Sequence, residues 1–297
     1  QGLAEAARFG TTTIANLTAV PELAAQFAEP EMRMWWFPEM IDVRGPVSAA
    51  KTLAAMRERV AGEVGLAPHA PYTASLELFR ETADLVRAQK IVATTHLAES
   101  RDEMEMFRDG RGALFEFLQS IGRPMSDCGT QTPLALLLDA GVFDERWLIA
   151  HLNELTSPDL LRLENAPKFQ VVHCPRSHAY FGHAPFAFRE LRERGFNIAL
   201  GTDSLASNHD LSLFAEMRQL ARVLPALRPA ELLEMVTTRA AAALQAQDWL
   251  GKIRTGFLAD LIAIPFSGAA DHAFESAVDF EGEVSWRMLN GALVSPR

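Results

Sequence analysis

Four side chains able to take part in hydrolysis follow apolar runs: His69 after Val64–Ala67, His96 after Ile91–Thr95, His151 after Trp147–Ala150, and Asp203 after Ile198–Leu200. An α/β protein places chemistry, rather than packing, at the carboxyl end of a buried strand. Imidazole and carboxylate suit Zn²⁺ or another first-row divalent ion. His96 and Asp203, at the ends of different strands, are therefore the expected metal ligands. Glu99 lies three residues past His96, close enough to share its cavity. A carboxylate beside an activated water can take its proton and pass it to a ring nitrogen or leaving group. His151 can orient the attacking oxygen. Pro71 disfavours helical geometry at Ala70, which keeps His69 at a strand end, where it is assigned to substrate contact. Packing is the lesser reading of each of these histidines, as a turn cap is of Asp203. The set as a whole favours a site.

Elements that would position these groups recur along the chain. Short apolar strands are expected at Thr11–Ala15, Met32–Ile41, Val64–Ala67, Ile91–Thr95, Trp147–Ala150, Phe169–Cys174 and Ile198–Leu200, with helical patterns between them. Repeated strand–helix alternation with apolar strands predicts a parallel sheet. That makes seven strands where a closed (β/α)8 barrel has eight, so the expectation is a TIM-like barrel whose first strand is missing from the sequence given. Helices are expected over Gly2–Arg8, from Pro21 to Phe27, from Pro133 to Asp139, from Leu211 to Val223 and, unbroken, from Pro229 to Leu244. Arg176–Gly182 is expected to be a loop, and Arg101–Gly129 an excursion carrying one helix. Residues 249–297 change character to short β pieces, including Val278. They predict part of a small β-sandwich domain after a barrel over residues 1–248.

Two other groups invite a role. Trp35 and Trp36 alternate faces of one strand; either could line the cavity, with barrel packing the main expectation, and Trp35 is carried as a substrate contact. His173, His178 and His183 cluster after another strand. His173 is expected to scaffold the loop, and His178 to roof the substrate.

Composition limits the partners. The 297 residues are 48% hydrophobic and carry a formal net charge of −10, enough for a large core and unfavourable for binding nucleic-acid polymers or anionic membranes. Two cysteines supply neither a disulfide framework nor a thiolate cluster. No apolar run is long enough to cross a bilayer, and the expected location is the cytoplasm.

The motifs GTTTIAN (Gly10–Asn16), HAPYT (His69–Thr73), THLAES (Thr95–Ser100), AHLNE (Ala150–Glu154), VVHCPRSH (Val171–His178) and LGTDSLASN (Leu200–Asn208) resemble, in order, the amidohydrolase superfamily. The likeness is to the metal-dependent group containing cytosine deaminase, chlorohydrolases and the deaminases of S-adenosylhomocysteine, methylthioadenosine and aminodeoxyfutalosine. It implies one divalent ion, expected as Zn²⁺ with Fe²⁺ or Mn²⁺ as alternatives. His96 would be a metal ligand, Asp203 a ligand and general base, Glu99 the proton shuttle, and His151 the histidine near the hydrolytic water. His69 would contact substrate; Glu99, His151, His178 and Trp35 are the further substrate contacts expected from their positions in the sequence. The implied reaction is hydrolytic deamination of an aminated heterocycle of the adenosine type. A chlorohydrolase or amide hydrolase using the same site is one alternative, and a noncatalytic small-molecule-binding barrel is another. A homodimer is the assembly the resemblance suggests. His178 departs from the asparagine usual after that serine. The family also takes two metal ligands from an upstream His-x-His, and none of the eight histidines here forms that pair. The expectation is a piece of a longer enzyme.

Overall fold

The computed structural model describes residues 2–26 and 31–294. Its parallel strands are β1 (Thr13–Thr18), β2 (Arg33–Met40), β3 (Glu63–Val64), β4 (Ala67–Pro68), β5 (Ala93–Leu97), β6 (Trp147–His151), β7 (Gln170–His173) and β8 (Asn197–Leu200). β1 pairs with β2, which pairs with both β3 and β4. A bridge from Leu66 to Ala93 carries the order on to β5, and β5 through β8 continue it, all parallel. Because β3 and β4 occupy one position on either side of Gly65 and Leu66, the sheet has the seven strand positions expected. Gly65 is required at that crossing, since a Cβ there would overlap the Phe37 ring and the Val92 carbonyl.

Successive side chains of a strand point to opposite faces, and here both faces are buried. Met34 and Trp36 of β2, Trp147 and Ile149 of β6, and Ile198 and Leu200 of β8 pack in the larger core. Their neighbours Trp35 and Phe37, Leu148, and Ala199 pack in a second, smaller one. Two-sided burial is the mark of a parallel sheet covered by helices, and it explains why the strands read as continuous apolar runs rather than as alternation.

Several elements differ from expectation for local reasons. Residues Pro175–Phe181 form a helix, not a loop. Pro175 opens its first turn and Gly182, at φ 67°, closes it. The helix expected from Pro229 to Leu244 is two, Pro229–Val236 and Thr238–Ala243, broken at Thr237. The excursion after β5 holds helices Arg101–Met104 and Ala113–Ser120 around a π-helical turn. Val278 ends the helix Ala273–Val278 instead of forming a strand. The early helix is a 3₁₀ segment, Pro21–Gln26; Phe27, its expected last residue, lies outside the described residues.

Toward the carboxyl end, β9 (Leu261–Ala263), β10 (Trp286–Leu289) and β11 (Ala292–Val294) form an antiparallel sheet in the order β11–β10–β9. It is tied to the start of the barrel by an Arg33–Asp260 ion pair at 3.2 Å and by the Val284 amide donating to the Arg8 carbonyl. No helix among the described residues is long and apolar enough to cross a membrane. Cys128 and Cys174 are both free thiols.

Candidate active site

The carboxyl ends of β4, β5 and β6 set three imidazoles side by side. The His69 and His96 rings lie 5.0 Å apart and the His96 and His151 rings 5.4 Å apart. Parallel register fixes this: the His96 amide donates to the His69 carbonyl, and Leu97 pairs with His151. Each ring has a definite partner. His96 Nδ1 sits 3.0 Å from the His69 carbonyl oxygen, so it donates there, and in the neutral tautomer Nε2 is the nitrogen left with a lone pair. Such a carbonyl partner commonly fixes the tautomer of a metal-binding histidine. His151 is buried, and its Nε2 lies 3.5 Å from Glu99 Oε1. Burial, then the neighbouring His96, lowers its pKa to about 3, so this imidazole is neutral at pH 7. His69 is also held neutral, its pKa lowered to about 4 by burial and then by His96.

Glu99 follows β5 in a turn that another carboxylate builds. Glu103, 1% exposed, accepts from the amides of Ala98 at 3.0 Å and Glu99 at 2.8 Å. Those bonds hold Ala98 in the left-handed region at φ 48°. The loop after β6 clamps the same turn from the other side: the Glu154 amide donates to the Ala98 carbonyl and Asn153 Nδ2 to the Glu99 carbonyl. Burial raises the Glu99 pKa, His96 opposes it, and Asp203 adds to it.

Asp203 follows β8 at φ 55°. Its Oδ2 accepts from Ser177 Oγ at 2.6 Å and Ser207 Oγ at 2.8 Å, and its Oδ1 from the Ser204 amide at 2.8 Å. Although the residue is exposed, surrounding atoms desolvate the carboxylate and push its pKa up; the Ser177 and Ser207 bonds, with the nearby His151 and the Ser204 amide, outweigh this and hold it below the usual range. Ser177 belongs to the helix that replaced the expected loop, so that helix is what delivers a hydroxyl to Asp203. Behind both loops, buried Glu216 accepts from the Arg176 amide at 2.9 Å and from Asn208 Nδ2 at 2.6 Å. It joins the segment after β7 to the segment after β8.

His69, His96, Glu99 and His151 thus stand together, and the charge of Asp203 acts on both Glu99 and His151. Trp35 is not brought to them. It is buried in the smaller core and stacks on Trp249 at 5.9 Å, toward the opposite end of β2 from the residues that approach His69. His178 Nε2 donates to the Ala184 carbonyl at 2.8 Å, and its ring lies 5.2 Å from His173 and 5.6 Å from His183. It flanks the site, near enough for its charge to lower the His151 pKa. His173 packs flat on Phe186 at 3.9 Å and serves as scaffold.

Three further carboxylates around the site were not expected from the sequence. Glu39, at the end of the apolar strand β2, obeys the rule that singled out Asp203, and lies with His69 and His96 so that one ligand atom from each falls within 4.8 Å of the others. Glu103 carries a capping-box spacing, Ser100-x-x-Glu103, and the Ser100 hydroxyl does accept from its amide. Glu216 had no local signal.

The donor set fits a divalent ion. The free His96 Nε2, the ionised Asp203 and the neutral imidazoles around them are the ligand types of a borderline first-row metal.

A family model for the amidohydrolase family matches residues 1–291. A 5-methylthioadenosine/S-adenosylhomocysteine deaminase from Pyrococcus furiosus is 31% identical over 281 residues, 89% of this chain and 62% of its own length. An aminodeoxyfutalosine deaminase from Deinococcus radiodurans is 33% identical over 183 residues, 58% of this chain and 43% of its own. Among solved structures, a zinc-bound adenosine deaminase from Xanthomonas campestris superposes with a TM-score of 0.80 at 24% identity, covering 99% of this chain and 68% of that one. That likeness is one of fold. The chain spans less than two thirds of the length of these two curated relatives.

Proposed function

The chain belongs to the amidohydrolase family, and on that premise we propose that it forms the catalytic part of a metal-dependent hydrolytic deaminase acting on an aminated heterocycle, an adenosine-type nucleoside derivative. The observation that carries the proposal is the convergence of Glu99 and His151, 3.5 Å apart, beside an Asp203 carboxylate held ionised by Ser177 and Ser207. Two carboxylates whose surroundings push their pKa values apart are the pattern of a paired acid and base.

His96 and Asp203 would hold the ion, Zn²⁺ in this proposal, which when bound lowers the pKa of water enough to supply hydroxide near neutral pH. Asp203, ionised, accepts the water's proton. Glu99, whose raised pKa favours the protonated form, donates to the ring nitrogen beside the amine-bearing carbon, and the proton taken up by Asp203 then passes to the amine, which leaves as ammonia. His151 is neutral and orients the oxygen as the ring carbon becomes tetrahedral. The postures of these residues are fixed before substrate arrives, by the Glu103 turn and the Glu216 bridge. The proposal places the enzyme in the cytoplasm, acting on a small molecule, with the homodimer as the assembly to test by light scattering.

The test is ammonia release from a panel of aminopurine nucleosides, using the longest native reading frame and measuring bound metal on the same preparation. Ammonia with a stoichiometric divalent ion is expected, and Glu99→Gln should abolish most turnover while leaving the metal in place. A metal-replete protein that binds nucleosides without releasing ammonia would reject the proposal.

A further inference from the structure

Arg123 is a buried charge with no part in the proposed chemistry. It lies in the excursion after β5, is 8% exposed, and reaches back to the loop that follows β4. Inside that loop the Thr73 and Ala74 amides both bond the Ala70 carbonyl, which leaves the Pro71 and Tyr72 carbonyls to find partners elsewhere. Arg123 supplies both, Nη2 donating to Pro71 and Nε to Tyr72, each at 2.9 Å. Asp127 accepts from Nη1 at 2.8 Å and Nη2 at 2.7 Å, and the Pro124 carbonyl accepts from Nη1 at 2.6 Å. Every N–H of the guanidinium is thereby used. A planar fork bonded on all sides fixes the position of what it holds; a lysine ammonium, with fewer donors and no fork, has no equivalent geometry.

The loop so held carries two groups of the site. His69 stands two residues before Pro71. Tyr72 meets the His69 ring edge-on at 5.6 Å and packs with Met106, Phe107 and Leu118 of the excursion. Its phenol is near enough to Glu103, Glu99 and Glu39 to feel their charge, which together with burial keeps it protonated. The hydroxyl is therefore a donor, and among the described residues it makes no hydrogen bond. The Arg123 guanidinium also lies 5.6 Å from the centre of the Phe107 ring, on the segment that begins with the Glu99 turn. One side chain thus sets the His69 loop against the segment that carries the acid.

We propose that Arg123 is a positioning residue for substrate recognition, acting through the Pro71 and Tyr72 carbonyls, and that the Tyr72 hydroxyl is the substrate contact it holds in place. This rests on the nucleoside deaminase reading, in which the substrate enters beside His69. The excursion after β5 is then part of the binding site, and the bond from Tyr72 goes to an acceptor atom of the substrate.

The experiment compares wild type, Arg123→Lys, Tyr72→Phe and the double variant in the full-length enzyme, each checked for folding by circular dichroism and for metal content. Arg123→Lys should raise KM about 10- to 100-fold, as expected for a misplaced binding loop, with kcat within about threefold of wild type. Tyr72→Phe should raise KM about tenfold at unchanged melting temperature. In the double variant KM should be no higher than in the worse single variant, because both changes remove the same contact. A lowered melting temperature in Arg123→Lys with KM unmoved would overturn the proposal and leave Arg123 a structural residue. Fully multiplied effects on KM would overturn it too, since Arg123 would then not act through Tyr72. Should Arg123→Lys fail to fold, Asp127→Asn loosens the guanidinium without removing it and must raise KM in the same direction. Calorimetric binding of inosine needs no turnover and separates the two proposals. Affinity lost in both single variants, with no ammonia from any form, would sink the deaminase and keep the positioning; ammonia release with KM and affinity unchanged in both would sink the positioning alone.

Discussion

The two ends of the barrel are built from the same strands and could hardly differ more. At the amino end of β2, Trp35 stacks on Trp249 and shares an apolar cluster with Leu250, Ala246 and Ala243, with the ion-paired Arg33 lying over the Trp249 ring. At the carboxyl ends stand neutral histidines, carboxylates with displaced pKa values, and strained backbone. Among the described residues, four of the seven non-glycine residues with positive φ are Ala98, His151, Leu152 and Asp203. One end contributes stability through buried area, and the other holds polar groups and strain that this stability must support.

If the division is real, variants at the two ends should fail in different ways. The largest effect is expected at Asp203. Asp203→Asn should lower turnover about a thousandfold with little change in melting temperature; activity near wild type would remove Asp203 from the chemistry. Trp35→Ala should do the reverse, destabilising by about 3–5 kcal/mol in denaturant titrations while KM for substrate stays unchanged below the transition. A raised KM with intact stability would return Trp35 to the cavity. Glu103 sharpens the contrast because it is buried yet serves the rim. Glu103→Ala strands two buried amides and should cost about 10- to 100-fold in kcat/KM along with some stability, and Glu103→Gln, keeping one acceptor, should recover part of both.

The smallest effect concerns acid. Burial lowers the His173 pKa well below its ordinary 6.5. Below pH 6.5 the unfolded chain takes up a proton that the folded chain refuses, so this contribution is present above that pH and is lost as pH falls, at about 1.4 kcal/mol per pH unit. His173→Phe keeps a ring against Phe186 and should flatten the dependence of melting temperature on pH between 6.5 and 5. An unchanged slope would mean that other groups carry it.

Much of the fold was legible because each strand is a local apolar run and each helix a local pattern. The elements that misled did so where a local signal had a second meaning. Arg176–Gly182 was expected to be a loop, yet Pro175 is a favourable first helical residue and Gly182 a favourable stop. The strand-end rule found His69, His96, His151 and Asp203 but passed over Glu39, whose strand also carries Trp35 and Trp36 and so read as packing.

The sequence by itself determined the alternation of strands and helices, the types of group at the strand ends, and the resemblance carried by its motifs, since all of these are set by neighbours a few residues apart. Only the tertiary structure decided which groups face one another. Glu39 meets His69 across 30 positions, Asp203 receives the Ser177 hydroxyl across 26, and Glu216 takes the Arg176 amide across 40. Tautomers, displaced pKa values and buried carboxylates follow from those meetings, because desolvation and hydrogen bonding act through space and parallel register sets the distances.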